Sequence, residues 1–297
     1  MSLLTRVANG DILVSDGAMG TMLQAHGLRP GECPEEWCIS HPDVVRGITH
    51  AYVDAGSQVV LTNSFGGTAP KLKGYGFEGR VREFAHAAVT LALEGASGKA
   101  FVAASVGPTG LGHLLEPFGD VQPDQILTAF REQISALAEA GAQALCIETM
   151  MSLEEAALAI QAAKECCDLP IMATMTFEKG ARGYRTMMGI SPTQAAQELP
   201  ARGAHVIGAN CGNGIAEMVE ITAEMRQAAP NVPILIHANA GVPTLQDGVT
   251  VFRETPEDMA SRVPDLVKAG ANIVGGCCGT TPDHIRAIAE AVQRLRS

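Results

Sequence analysis

The stretch Glu139-Ala140-Gly141-Ala142-Gln143-Ala144-Leu145-Cys146-Ile147-Glu148 reads as a helix end, a glycine and a short apolar strand. The phrase recurs three times. Asp54-Ala55-Gly56-Ser57 precedes Gln58 to Asn63, Ala201-Arg202-Gly203-Ala204 precedes His205 to Asn210, and Lys268-Ala269-Gly270-Ala271 precedes Asn272 to Cys277. The residue after a helix often needs a left-handed backbone, which glycine adopts without strain. The strands are apolar along their length rather than alternating, as expected when both faces are covered.

Working outward, four further apolar runs complete the set: Asp11 to Ser15, Ala100 to Ser105, Ile171 to Thr176 and Ile234 to Ala238. Helical stretches lie between them. Asp43 to Ala55 follows His41-Pro42, and Pro123 to Ala140 carries Ile126, Phe130, Ile134 and Leu137 at helical spacing. Ser152-Leu153-Glu154-Glu155 predicts a capping box opening a helix to Cys166. Ser191-Pro192, Thr255-Pro256 and Thr281-Pro282 each place a cap before a proline at the first helical position. Eight strands alternating with eight helices predict a (β/α)₈ TIM barrel, one domain over residues 1–297. A doubly wound open sheet is the competing architecture, but no Gly-x-Gly-x-x-Gly follows the first strand. The segments Gly20 to His41, Gly107 to Asp120 and Glu178 to Gly189 are long for strand-to-helix connections and are expected to fold over the site.

Composition narrows the function. Lysine and arginine number 21 against 32 acidic residues, a formal charge of −11, and no basic run occurs. That balance disfavours nucleic acid and anionic lipid as partners. The first residues, Met1-Ser2-Leu3-Leu4-Thr5-Arg6, lead into no apolar signal region, and no segment has the uninterrupted apolar length of a membrane span. The expected location is the cytoplasm. In such a setting eight cysteines point to metal binding or buried thiols rather than disulfides. Cys146, Cys166 and Cys167 sit in apolar or helical runs and read as structural. Cys33 and Cys38 flank Pro34-Glu35-Glu36-Trp37, with no further ligands nearby to make a zinc clip.

The remaining three cysteines differ. Cys211 ends the sixth strand beside Gly212, and Cys277-Cys278 end the eighth inside Gly275-Gly276-Cys277-Cys278-Gly279. In a barrel the C-terminal strand ends gather at one mouth, so the long sequence gap between these thiols is no objection. Two buried small residues, or a disulfide between neighbours, are the competing readings. Three thiolates on Zn²⁺ give a net charge of about −1, a poor activator of water compared with nitrogen-rich zinc sites. A substrate thiol in the fourth position is different: the ion converts it to thiolate at neutral pH while leaving it nucleophilic. Alkyl transfer to a thiol fits, with no catalytic residue required beyond the metal site. Two carboxylates at strand ends, Asp16 and Glu148, offer a partner for a substrate ammonium, and the N–H groups of Gly17 and Ala18 for a carboxylate. For Asp16 a turn-anchoring role competes evenly. A thiol, an amine and a carboxylate describe an amino thiol such as homocysteine.

The chain resembles the homocysteine S-methyltransferase family, which includes betaine–homocysteine methyltransferase and the homocysteine-binding module of cobalamin-dependent methionine synthase. The motifs are Asp16-Gly17-Ala18-Met19-Gly20-Thr21, Thr62-Asn63-Ser64-Phe65, Ile147-Glu148-Thr149, Gly208-Ala209-Asn210-Cys211, Ala238-Asn239-Ala240-Gly241 and Gly275 to Pro282. They run in order along nearly the whole chain, and the last is the most specific. The resemblance implies a zinc-bearing barrel with Cys211, Cys277 and Cys278 as ligands. It also implies that Asp16, Gly17 and Glu148 contact homocysteine and that Asn239 approaches the metal or substrate. Full methionine synthase adds folate, cobalamin and activation modules, and no Asp-x-His-x-x-Gly cobalamin motif occurs at any of the eight histidines. The methyl donor is therefore expected from elsewhere: a separate methylcorrinoid protein, a small donor such as betaine or S-methylmethionine, or further domains of a longer protein. Competing functions are a non-catalytic homocysteine- and zinc-binding accessory subunit, methyl transfer to another small thiol, and a redox protein using Cys277 and Cys278.

Overall fold

Each recurring glycine takes up the left-handed backbone its phrase predicts, with φ 109° at Gly56, 98° at Gly141, 119° at Gly203 and 116° at Gly270. The strands that follow are those expected. A computed structural model describes residues 1–246 and 249–296. Its main sheet consists of β1 (Leu13–Val14), β2 (Val59–Leu61), β3 (Phe101–Val106), β4 (Ala144–Met150), β5 (Ile171–Met175), β6 (Val206–Asn210), β7 (Ile234–Ala238) and β8 (Ile273–Gly276). Every neighbouring pair is parallel. The ring closes where Ser15 bridges Val59 and the Gln58 N–H donates to the Val14 carbonyl at 2.7 Å. The (β/α)₈ barrel is thus the observed fold.

Two-residue alternation sorts the strands into two cores. Leu13, Val59, Ala103, Ala144, Cys146, Met172, Val206, Leu235 and Ile273 form one buried cluster inside the ring. Their neighbours Val14, Ala104, Leu145, Ile147, Ala173, Ile207, Ile236 and Val274 pack outward on the helices. The inner cluster also contains Leu3 and Val7. These belong to a short helix, Leu3–Ala8, capped by Ser2, that stoppers the end of the barrel opposite the site.

The covering helices lie where the sequence puts them, at Pro42–Asp54, Pro123–Glu139, Leu153–Cys166, Pro192–Arg202, Pro256–Ala269 and Pro282–Arg296, with Val81–Ala96 and Ile215–Ala228 completing the ring. One local expectation needs correcting. Ser152 accepts the Glu155 N–H, but the Glu155 carboxylate does not fold back to complete a capping box. It reaches across to the N–H and hydroxyl of Thr109, anchoring the loop after β3. The long segments over the mouth carry structure of their own: helices Gly20–Ala25 and Trp37–Ser40, and a hairpin pairing Glu178–Gly180 with Gly183–Arg185. A second hairpin, Thr244–Gln246 with Val249–Val251, rises after β7.

Candidate active site

Continuing the inward alternation by one step, the top layer of the barrel interior comprises Ser15, Leu61, Ser105, Glu148, Thr174, Gly208, His237 and Gly275, with Asn210 one further inward step along β6. Above it opens a cavity of about 350 Å³. Gly17, Ala18, Phe65, Glu148, Cys211, His237, Cys277 and Cys278 are among its walls, and no lysine or arginine of the described residues lines it.

The three thiols meet there. Cys211, Cys277 and Cys278 place their sulfurs within 4.8 Å of one another, and Cys211 Sγ lies 3.8 Å from Cys278 Sγ. Among the described residues no other group of three such side chains gathers. All eight cysteines are free, so the neighbouring pair Cys277-Cys278 forms no disulfide. Tetrahedral zinc–thiolate bonds of about 2.3 Å require sulfur–sulfur separations of about 3.8 Å. The Cys211–Cys278 edge has that spacing, and Cys277 Sγ lies within 4.8 Å of both. The electrostatics of the cluster agree. Hydrogen bonds from Cys277 and then Cys278 hold the Cys211 thiol far below the usual range. The other two are pushed up, chiefly by their hydrogen bonds to Cys211. Three sulfurs this close cannot all ionise without a cation among them.

The backbone that presents them is unusual. Cys211 itself has φ 60°, a left-handed conformation that costs a side-chain-bearing residue about 1–2 kcal/mol. The two thiol turns are stitched through the end of β7: the Cys211 N–H donates to the His237 carbonyl at 3.1 Å, and the Cys277 N–H to that of Ala238 at 2.7 Å. Cys33 and Cys38 lie elsewhere, buried, hydrogen-bonded to the Glu35 carboxylate and the Asn63 carbonyl.

Glu148 faces the thiols from β4 and is only 7 % exposed. The Ser105 hydroxyl donates to its Oε1, and Asn210 Nδ2 donates to Oε2 at 3.3 Å. Burial raises its pKa to about 7. Asn210 is fixed in turn by the Thr149 N–H and the Thr174 hydroxyl, at 2.8 and 2.7 Å. Its role as the orienter of Glu148 is visible only in three dimensions.

Asp16 is placed differently. It is 3 % exposed, stands behind the cavity wall, and takes the Leu61 N–H at 2.7 Å, tying β1 to β2. Burial, then partly the Glu148 charge, raises its pKa to about 7 against the Leu61 hydrogen bond. Gly17 and Ala18 line the cavity, but the Ala18 N–H already donates to Thr280 Oγ1 at 3.1 Å. Asn239 is buried outside the wall with Oδ1 unpartnered, and its side chain adds a hydrogen bond to Cys211.

A family model described as homocysteine S-methyltransferase matches residues 13–292. The chain belongs to the homocysteine S-methyltransferase family. Within that family it is 30% identical over 311 residues to a methionine synthase of Mycobacterium tuberculosis, an alignment covering 99% of this chain and 26% of that protein. A Mycobacterium leprae methionine synthase is 29% identical over 301 residues, covering 95% and 24%. The chain spans about a quarter of the length of these relatives. The metallated form of the Escherichia coli homocysteine methyltransferase MmuM superposes with a TM-score of 0.80 at 22% identity, over 99% of this chain and 100% of that one. Its oxidised form gives 0.79. These two likenesses establish that the homocysteine S-methyltransferase barrel shares their fold. No helix among the described residues is long and apolar enough to cross a membrane.

Proposed function

We propose that this chain transfers a methyl group to the thiol of homocysteine, giving methionine, at a zinc ion held by Cys211, Cys277 and Cys278. The carrying observation is the sulfur triangle, with its 3.8 Å edge, at a cavity whose far wall is the Glu148 carboxylate. Family membership supplies the substrate. When bound, zinc lowers the pKa of the substrate thiol and keeps it as a reactive thiolate.

The protein's own groups do the rest. Glu148, fixed by Ser105 and Asn210, receives the substrate ammonium. That pairing favours its ionised form and offsets the burial that raises its pKa. The Gly17 N–H faces the carboxylate end, while Ala18 and Asp16 act mainly by shaping the turn. Asn239 holds Cys211 from outside the cavity wall. The apolar walls exclude water. The new S–CH₃ bond forms as the donor–CH₃ bond breaks, its electron pair leaving with the donor. The donor is a methylcorrinoid, carried by a separate protein or by further domains, or a small molecule such as betaine or S-methylmethionine.

The test is to incubate zinc-loaded protein with homocysteine and each donor, methylcobalamin included, and to follow methionine. Methionine formation that stops on zinc removal is expected. Full activity in metal-free protein overturns the proposal, as does the absence of methionine with every donor.

A further inference from the structure

His237 is the inward residue of β7, the strand between the two that carry the thiols, paired with Asn210 on one side and Gly275 on the other. It lines the cavity and is 2 % exposed, yet its Nε2 has no hydrogen-bond partner among the described residues. A buried polar atom left unpaired is costly, so the position calls for a partner supplied from outside.

The surroundings say which partner. The imidazole lies against the bare backbone of Gly275. A Cβ there would stand 2.9 Å from His237 Cδ2, 2.8 Å from Ser15 Cβ and 2.7 Å from the Asp16 carbonyl oxygen. The Cδ2 side of the ring, next to Nε2, thus lies against β8 beside β1, the strand that leads into Gly17. Glu148 stands on the far side of the barrel, on β4. An amino acid with its ammonium at Glu148 and its thiol at the sulfur cluster turns its carboxylate towards β8 and β1. That carboxylate finds no lysine or arginine among the described residues of the wall, and the Ala18 N–H is already engaged with Thr280, which leaves the Gly17 N–H and the imidazole as donors. The ring is buried, and burial favours its uncharged form. It offers one N–H, and a carboxylate fixes the tautomer that puts it on Nε2.

We infer that His237 is a substrate-positioning residue whose Nε2–H donates to the carboxylate of the bound amino thiol, the counterpart of Glu148 at the ammonium. The inference rests on the proposed amino-thiol substrate and adds the group that distinguishes an amino acid from a simple amine thiol.

Calorimetric titration of zinc-loaded protein with homocysteine, and with its decarboxylated analogue aminopropanethiol, tests it. In His237→Leu, homocysteine binding weakens about tenfold or more, the scale of one hydrogen bond to a charged group, while aminopropanethiol binding is unchanged. His237→Gln, which keeps an N–H donor, restores much of the loss. Equal weakening of both ligands in His237→Leu, or no weakening of either, overturns the inference and leaves the substrate reading intact. Wild-type protein that binds zinc but not homocysteine overturns both. Zinc content of each variant, measured beside the titration, confirms that the sulfur cluster is assembled.

Discussion

The hydroxyl of Thr280 accepts the Ala18 N–H at 3.1 Å and donates its own proton to the Cys277 carbonyl at 2.7 Å. One side chain thus couples the turn after β1 to the thiol turn after β8. Tyr52 reinforces the link from behind, its hydroxyl lying 2.8 Å from the Ala18 carbonyl and 3.2 Å from that of Thr280. Thr280→Val keeps the shape and removes both bonds. The variant is expected to lose about 1–3 kcal/mol in denaturant unfolding and to bind homocysteine more weakly at unchanged zinc content. Wild-type stability and affinity together would show that the bridge is dispensable.

Cys211 combines a thiol with a strained backbone. Cys211→Ser and Cys211→Gly are both expected to lose the metal, measured as zinc per chain. They separate in the metal-free state. Serine keeps the left-handed strain and glycine relieves it, so the glycine variant should be the more stable of the two by about 1 kcal/mol. A serine variant that retains stoichiometric zinc would remove Cys211 from the ligand set.

Metal occupancy also controls thiol reactivity. Zinc-loaded native protein should show its three clustered thiols unreactive to a thiol reagent, and a chelator should release all three together. Release of fewer would mean that another side chain completes the site.

The pH dependence follows from the two buried carboxyls. Asp16 and Glu148 both titrate near pH 7 in the fold, because burial disfavours their charge. Unfolded, they titrate near 4. Between about pH 4 and 7 the folded chain holds more protons than the unfolded one, so these groups make stability fall as pH rises through that window. In metal-free, substrate-free protein, Glu148→Gln should flatten the slope and raise stability at pH 8, at the cost of homocysteine binding. A variant with an unchanged slope would show that Glu148 is ionised throughout.

Fold and site can also be separated at the closed end of the barrel. Arg226 donates to the carbonyls of Ala229, Pro230, Val232 and Gly270 and to Asn272 Oδ1. Arg226→Met should cost about 2–4 kcal/mol of stability while leaving zinc content and homocysteine affinity unchanged. A loss of affinity would tie this end of the barrel to the mouth.

Much of this was legible in the chain. The four glycine-capped phrases gave strand positions to within a residue or two, because helix termination and apolar strand onset are local signals. Strand counting then brought Cys211, Cys277 and Cys278 together correctly. What stayed hidden depends on phase and on long-range partners. The strands are apolar on both faces, so nothing local shows that Asn210 and His237 point inward, although alternation from Val206 and Leu235 carries that information. Asp16 and Glu148 are both strand-end carboxylates in the sequence, where a turn-anchoring role for Asp16 competes evenly with substrate contact. The structure ties Asp16 to the Leu61 N–H behind the cavity wall and puts Glu148 in that wall. Thr280 gave no sign of its reach to Ala18, a partner 262 positions away. The helix Leu3–Ala8 is too short for a periodic signal, and its role depends on a barrel interior that local sequence does not show.

The sulfurs come from the turns after β6 and β8, with β7 laid between them and 67 positions separating Cys211 from Cys278. A chain in which β7 has not yet inserted presents no three-cornered donor set. A metal held by all three thiols would therefore bind only molecules whose last three strands are in register.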